Sequence, residues 1–283
     1  MPTTVASALS LSGELVNSDS ARLHCEILLA MVLDLKREQL LANPQRVINQ
    51  SRFDIYKELL ARRKQGEPVA YLTGRKAFWD FELQVNASVL IPRPETELLV
   101  EQALTLFADK KNEALQLVDL GTGSGALAIA LARASSRWQV CAVDISADAL
   151  EVARDNAVRL GVSNIEFYLG SWCEPLQGKQ FDLLVANPPY VAPGDSHLAR
   201  DSLPFEPSVA LVAAENGLAD IESICRQASN HMKENGCLLL EHGYDQQGVV
   251  IRMLEEFGYK QVQGFKDLSG VDRAVVARWP GDN

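Results

Sequence analysis

The sequence predicts an α/β protein: a doubly wound, mostly parallel sheet preceded by a small helical domain and joined to it by a hairpin. Three observations predict it. From about residue 115 onward short apolar strands alternate with helical patterns, which favours a parallel sheet with helices on its faces. A strand runs straight into a glycine-rich turn and an Ala/Leu-rich helix at "VDLGTGSGALAIALA", Val118 to Ala132. The first 74 residues, by contrast, have helical spacing with no strand, and a chain of 283 residues has room for a second domain beside a large core.

In chain order, "SARLHCEILLAMVLDL" places Leu23, Ile27, Leu28, Met31, Val32 and Leu35 at the spacing of one helical face, and Asn43-Pro44 breaks the helical pattern after it. Ser51 with Asp54 resembles a capping box that opens a helix through Ile55, Tyr56, Leu59 and Leu60, ending at Gly66. The basic run Arg62-Arg63-Lys64 suits a last helical turn, where cations complement the helix dipole. "FWDFELQVNASVLIP" then reads as a hairpin turning near Asn86-Ala87-Ser88. After "IPRPETE" the expected strands are "LQLVDL", "WQVCAVDI", "IEFYLG", "FDLLVANPP", "GCLLLEHG", "KQVQGFKD" and "AVVARW", with helices opening at Gly125, Ala147, about Leu218 and Gln247. The resulting division is residues 1–75, helical; 76–92, hairpin linker; 93–283, the α/β domain.

Composition narrows the function. Net charge is −10, and residues 1–74 hold nine Lys+Arg against eight Asp+Glu, leaving 18 against 29 for the remainder. Such an acidic remainder is a poor partner for a phosphate backbone. Apolar runs such as Ile27 to Leu33 fall short of the ~20 residues that span a bilayer, and no Lys or Arg precedes Arg22 as a signal peptide would need. A cytoplasmic protein without membrane contact is expected. Five cysteines without a CxxC pair argue for buried thiols and against a metal site.

In the glycine loop, Gly121, Gly123 and Gly125 allow a tight turn that brings backbone N–H groups next to a ligand. Glycines alone also satisfy a dinucleotide fingerprint. Asp119, two residues before the first glycine, completes D-x-G-x-G-x-G, and Asp144 ends the second strand where it would accept ribose hydroxyls. Both features favour a nucleoside cofactor. Trp172 in "GSW" is placed either to lie against an adenine ring or simply to pack.

The strand "FDLLVA" halts at Asn187-Pro188-Pro189-Tyr190, where neither proline donates a backbone hydrogen bond. In an open α/β sheet that stop lies beside the glycine loop, in the crevice beyond the strand ends. The Asn187 side-chain oxygen and the Pro188 carbonyl then offer two acceptors beside the Tyr190 ring. A planar NH₂ group fits: each N–H donates once and the ring covers the π-system. Such a nitrogen is a poor nucleophile, so holding both hydrogens and aiming its lone pair at an electrophile supplies much of the catalysis, and the acceptors stabilise the charge that develops on nitrogen.

D-x-G-x-G-x-G with NPPY resembles the methyltransferases that act on planar nitrogens. The fuller set is "RRKQGEPVAYLTG" (Arg62 to Gly74), "FW", "VLIPRPETE" (Val89 to Glu97), "DLGTGSGA", "AVDIS" and NPPY, continued by "FEP" at 205–207 and "LLLEHG" at 238–243. It is similar to the release factor glutamine methyltransferases. That resemblance implies a Rossmann-like class I methyltransferase domain using S-adenosyl-L-methionine. The reaction implied is N5-methylation of the glutamine in the Gly-Gly-Gln motif of class I peptide chain release factors, with the helical domain recognising that substrate. By position, Gly121, Thr122, Gly123, Ser124, Gly125, Asp144, Trp172 and Asn187 would bind cofactor. Asn187, Pro188, Pro189 and Tyr190 would hold the glutamine, with Asn187, Pro188 and Tyr190 catalytic. The sequence departs from the family at "AAENGLAD", where a glycine-rich loop is expected. An adenine-N6 DNA or RNA methyltransferase is the alternative with the same chemistry, but the chain lacks a basic surface and a target-recognition module. A cofactor-binding scaffold without catalysis is a third reading, which an intact NPPY disfavours.

Overall fold

A computed structural model of the chain describes residues 3–15, 20–199 and 203–281. The chain forms two compact units, Met1–Arg75 with Asp201–Phe205, and Lys76–Arg200 with Glu206–Asn283.

The first unit carries α1 (Val5–Leu9), α2 (Ala21–Leu33), α3 (Arg37–Ala42), α4 (Gln50–Lys64) and α5 (Val69–Thr73). Its core joins Val5 and Leu9 of α1 with Cys25, Leu28 and Leu29 of α2, Leu40 of α3, and Tyr56, Leu59 and Leu60 of α4. Two expectations shift here. Leu23 and Met31 are each 39% exposed, and the buried stripe of α2 is Cys25, Leu28, Leu29 and Val32. Cys25 packs as a small apolar residue and turns the buried face away from Leu23. The cap of α4 is Asn49, whose side chain accepts the Arg52 N–H at 2.9 Å, while Asp54 pairs with Gln50 and Lys57 along the exposed side. The basic run does close α4: Arg62 pairs with Glu67 and Arg63 donates to the Glu67 carbonyl.

In the second unit, β1 (Arg75–Phe78) and β2 (Phe81–Gln84) form a two-stranded hairpin. Its turn is at Trp79-Asp80, not at Asn86-Ala87-Ser88. Trp79 takes a φ of 54° and its N–H is held by Glu97 Oε1 at 2.9 Å, so a partner 18 residues away replaces the usual local turn chemistry. Asn86 instead caps a separate turn by accepting the Ser88 N–H, and residues 86–90 leave the hairpin as a loop. The helix α6 (Glu97–Leu106), unanticipated in the sequence, comes next.

Then come β3 (Gln116–Leu120), α7 (Ala126–Ala134), β4 (Gln139–Asp144), α8 (Ala147–Arg159), β5 (Ile165–Leu169), β6 (Phe181–Ala186), the single turn α9 (Ala214–Gly217), α10 (Ala219–Ala228), β7 (Met232–Glu241), α11 (Gln247–Glu256), β8 (Lys260–Lys266) and β9 (Asp272–Arg278). The sheet order is β5-β4-β3-β6-β7-β9-β8; the first five strands are parallel, β9 pairs antiparallel with β7, and β8 pairs antiparallel with β9. The chain steps outward from β3 to β5, then returns to β6 and steps the other way. Right-handed crossovers therefore put α7 and α8 on one face and α10 on the other. Under α10 and α11 the alternate residues Val118 and Leu120, Leu184 and Ala186, and Leu238 and Leu240 form one core with Ile221, Ile224, Val250 and Leu254. The intervening Leu117, Leu183, Val185 and Leu239 are equally buried, as strands covered on both faces require. The strand order reverses between β3 and β6, and that is where a crevice opens beyond the strand ends.

Candidate active site

The glycine loop leaves β3 at Leu120 and enters α7 at Ala126. Gly121 and Thr122 both donate to the Val143 carbonyl at 2.9 Å, Gly123 donates to Asp144 Oδ2 at 2.8 Å, and Gly125 donates to the Thr122 carbonyl. The Gly121, Thr122 and Gly123 N–H groups hold the loop to the end of β4 and the Gly125 N–H closes the turn within it, so the glycine N–H groups expected beside a ligand are committed to the protein. The glycines are needed for space: at Gly121 (φ 75°) a Cβ would sit 3.2 Å from the Trp172 ring. Asp119 braces the loop from beneath, its Oδ2 accepting from Thr122 Oγ1 at 2.6 Å and from the Ala128 N–H in the first turn of α7 at 3.1 Å. Its other oxygen is buried without a partner among the described residues, and burial, against the pull of those two bonds, pushes the carboxyl up to about 7.

Asp144, at the end of β4, accepts Gly123 N–H on one oxygen and Ser146 N–H on the other. Burial raises its pKa, opposed by these backbone bonds. A carboxylate has about four acceptor positions, so acceptor capacity remains beyond these backbone donors. Trp172 has a φ of 46°, packs on the core under α10 and lies with its ring against Gly121. The indole is thereby fixed against the glycine loop.

The NPPY segment leaves the end of β6. Asn187 Nδ2 donates to Thr96 Oγ1 at 3.0 Å, which turns its Oδ1 to the opposite side; Oδ1 takes no hydrogen bond among the described residues. Pro188 is buried. Tyr190 donates its hydroxyl to Glu241 Oε1 at 3.1 Å, and its carbonyl accepts from Gln246 Nε2 at 3.1 Å. The segment after NPPY is pinned as well: Val191 donates to Leu211 O and accepts from Ala213 N–H. Gly217 (φ 85°) packs so closely that a Cβ there would lie 2.1 Å from the Tyr190 carbonyl oxygen. "AAENGLAD" is thus the backing of NPPY, a role its departure from a glycine-rich pattern conceals.

These pieces surround a cavity of about 450 Å³, within the range of cofactor sites. Its wall comprises Gly121 and Gly123, Asp144 to Ser146, Gly170 to Trp172, Asn187 and Pro189, Asp220, and two loops unforeseen in the sequence, Ala87–Leu90 and the segment containing Pro207, Val209, Ala210 and Val212. Thr122, Ser124, Gly125, Pro188 and Tyr190 stand behind this wall: Thr122 and Ser124 are buried, Gly125 packs on Ile129 and Ala153, and Tyr190 faces Glu241. Both unforeseen loops are tied down by buried polar residues. Asn156, fully buried, accepts the Gln84 N–H and donates to the carbonyls of Gln84 and Ser124, locking the hairpin to the glycine loop. Glu206 accepts the Ile91 N–H at 3.0 Å and pairs with Arg93 at 2.6 Å, joining "IPRP" to "FEP".

Comparison with known proteins agrees with this geometry. Residues 8–74 match the PrmC N-terminal domain and residues 111–267 match a methyltransferase domain. The chain is 44% identical over 284 residues to the release factor glutamine methyltransferase of Vibrio cholerae, covering 99% of this chain and 98% of that one. The chain belongs to the release factor glutamine methyltransferase family. It is 42% identical over 278 residues to the family member of Pseudomonas aeruginosa, covering 98% of this chain and 99% of that one. A methyltransferase of Pyrococcus furiosus shares the fold, with a TM-score of 0.53 at 18% identity over 80% of this chain and 100% of that one. Among the described residues no helix is long and apolar enough to cross a membrane, and no group of three His, Cys, Asp or Glu is placed to hold a metal ion. All five cysteines are buried and none forms a disulfide.

Proposed function

We propose that this chain methylates the N5 amide nitrogen of the glutamine in the Gly-Gly-Gln motif of class I peptide chain release factors, with S-adenosylmethionine as donor. The observation that carries the reading is the orientation of Asn187: its NH₂ is committed to Thr96, so the acceptor oxygen is what the residue presents where it lines the cavity.

The cavity suits the donor. Gly121 leaves open the space that a Cβ would fill, the Asp144 carboxylate has acceptor capacity left for ribose hydroxyls, and the fixed Trp172 ring offers a flat apolar wall for a base. When bound, the sulfonium supplies an electrophilic methyl group. The rest of the chemistry belongs to the protein. Asn187 Oδ1 accepts one N–H of the substrate amide, which holds the nitrogen and aims the face that carries its lone pair at the cavity. Pro188 and Tyr190, behind the wall, keep Asn187 in place, Tyr190 through its bond to Glu241. The acceptor interacts more strongly as the nitrogen becomes positive, so it stabilises the transition state more than the bound substrate. The methylated amide is acidic enough to lose its proton to water, and no general base is required.

Residues 1–75 serve in this reading as the substrate-recognition domain, and residues 93–283 as the methyltransferase domain. The experiment is to incubate the purified protein with S-adenosylmethionine and release factor and to map the product by peptide mass spectrometry. The reading requires a gain of one CH₂ on the Gly-Gly-Gln glutamine; no gain, or a gain elsewhere, overturns it.

A further inference from the structure

We infer that Glu241 is a positioning residue for methyl transfer, acting on the NPPY segment from behind through Tyr190. It ends β7, next to β6 in the sheet, and is only 1% exposed. Its Oε1 accepts the Tyr190 hydroxyl at 3.1 Å. Thr96, which accepts the Asn187 N–H at 3.0 Å, lies beside the same carboxyl and opposes the rise that burial gives its pKa. One buried acid thus anchors the segment whose asparagine faces the cavity. Glu241 does not line the cavity.

Keeping it buried costs stability. Its Oε2 has no partner among the described residues, and a buried carboxyl is expensive where a leucine would pack at no such cost. A group that reduces stability while gripping a residue of NPPY is better explained by orientation than by folding. Thr96 lies in the short turn Pro94–Thr96 ahead of α6, so its bond to Asn187 registers the "PRPETE" segment against NPPY.

This inference rests on the proposed amide methylation, and the two fail separately: if wild type does not methylate release factor the reaction is wrong, whereas the inference is judged only on variants of an active protein. The experiment is methylation of intact release factor by wild type, E241L, E241Q, Y190F and E241L/Y190F. Single-turnover rates and half-saturating substrate concentrations are recorded beside calorimetric cofactor affinity and thermal melts. We expect E241L, which removes the acceptor, to slow the single-turnover rate about 10-fold or more with cofactor affinity and half-saturation changed by less than about twofold. E241Q, which keeps an oxygen for the Tyr190 hydroxyl, should regain most of the rate. E241L/Y190F should be no slower than about twofold below the worse single variant, because the two side chains act as one unit. A wild-type single-turnover rate for E241L, multiplicative losses in the double variant, or equal losses for E241L and E241Q would overturn the inference. If E241L does not fold, Y190F decides alone: a wild-type rate for it overturns the inference.

Discussion

Asn187 Nδ2 and Thr96 Oγ1 lie 3.0 Å apart across 91 residues of sequence. An asparagine presents a donor and an acceptor with nearly the same shape, and this bond decides which end meets the ligand. Because Thr96 begins the segment that leads into α6 and Asn187 ends β6, the polarity of the site depends on two distant parts of the chain holding register.

Replacing Asp144 by Ala removes the acceptor at the end of β4 and frees the Gly123 and Ser146 N–H groups. Each lost bond to a charged acceptor is worth about 1.5–3 kcal/mol, so S-adenosylmethionine affinity should fall by at least tenfold. Titration calorimetry on the folded variant measures it, and unchanged affinity would remove Asp144 from the cofactor site.

Gly217→Ala tests the backing of NPPY. The new methyl would meet the Tyr190 carbonyl oxygen at 2.1 Å and Gln246 Nε2 at 2.9 Å at a φ of 85°. Gly178 has a similar φ of 74° with open space around it and serves as the control. Ala at Gly178 should cost only the ~1–2 kcal/mol of left-handed backbone, and Ala at Gly217 about 2 kcal/mol more from overpacking. Urea unfolding of both variants makes the comparison, and equal losses would mean that the close approach has no energetic weight.

Stability should depend on pH through Asp119. Burial holds its carboxyl up at about 7 against an ordinary value of 3.8. The native state therefore keeps a proton that the unfolded chain has already released, and stability from this group is lost as pH rises from about 4 to about 7. Asp119→Asn has no such proton. The difference in unfolding free energy, variant minus wild type, should move in favour of the variant between pH 4.5 and pH 8, both without cofactor. Glu241, also raised to about 7 by burial, is present in both proteins and cancels. Parallel curves would refute the assignment.

A chain beginning at Lys76 contains the whole cavity wall. It should bind S-adenosylmethionine like the full chain and lose most of its activity on intact release factor. Undiminished turnover would refute a recognition role for residues 1–75.

The sheet was legible because its strands are buried on both faces and stand out as apolar runs between glycines and helix caps. The NPPY segment stands out for a different reason: two prolines without backbone N–H groups stop a buried strand, and β6 does end at Ala186. The features that the sequence concealed were set by contacts remote in the chain. Trp79 turns the hairpin with help from Glu97, so neither residue carries a turn signature, and Asn86 attracted the assignment instead. Glu241 in "LLLEHG" looks like the polar end of a strand, and its burial arises because Tyr190 and Thr96 arrive from other elements. The glycine loop was located correctly by its spacing. Its N–H groups nevertheless bond to β4, because spacing reports the turn and not what the turn faces. The apolar spacing of α2 likewise fixed a helix but not its buried side, which Cys25 shifted.

The most direct test of the proposed chemistry is single-turnover methylation of release factor at saturating cofactor by Asn187→Ala and Asn187→Asp. Alanine leaves one substrate N–H without an acceptor, at about 1–3 kcal/mol, and releases the nitrogen from its aim. The Ala variant should therefore react roughly 10²-fold more slowly, with cofactor affinity little changed. The Asp variant keeps an acceptor and should retain more activity than Ala, the Thr96 hydroxyl being able to donate to the new carboxylate. A near wild-type rate for Asn187→Ala would contradict this role for Asn187 and reduce NPPY to a turn at the end of a strand.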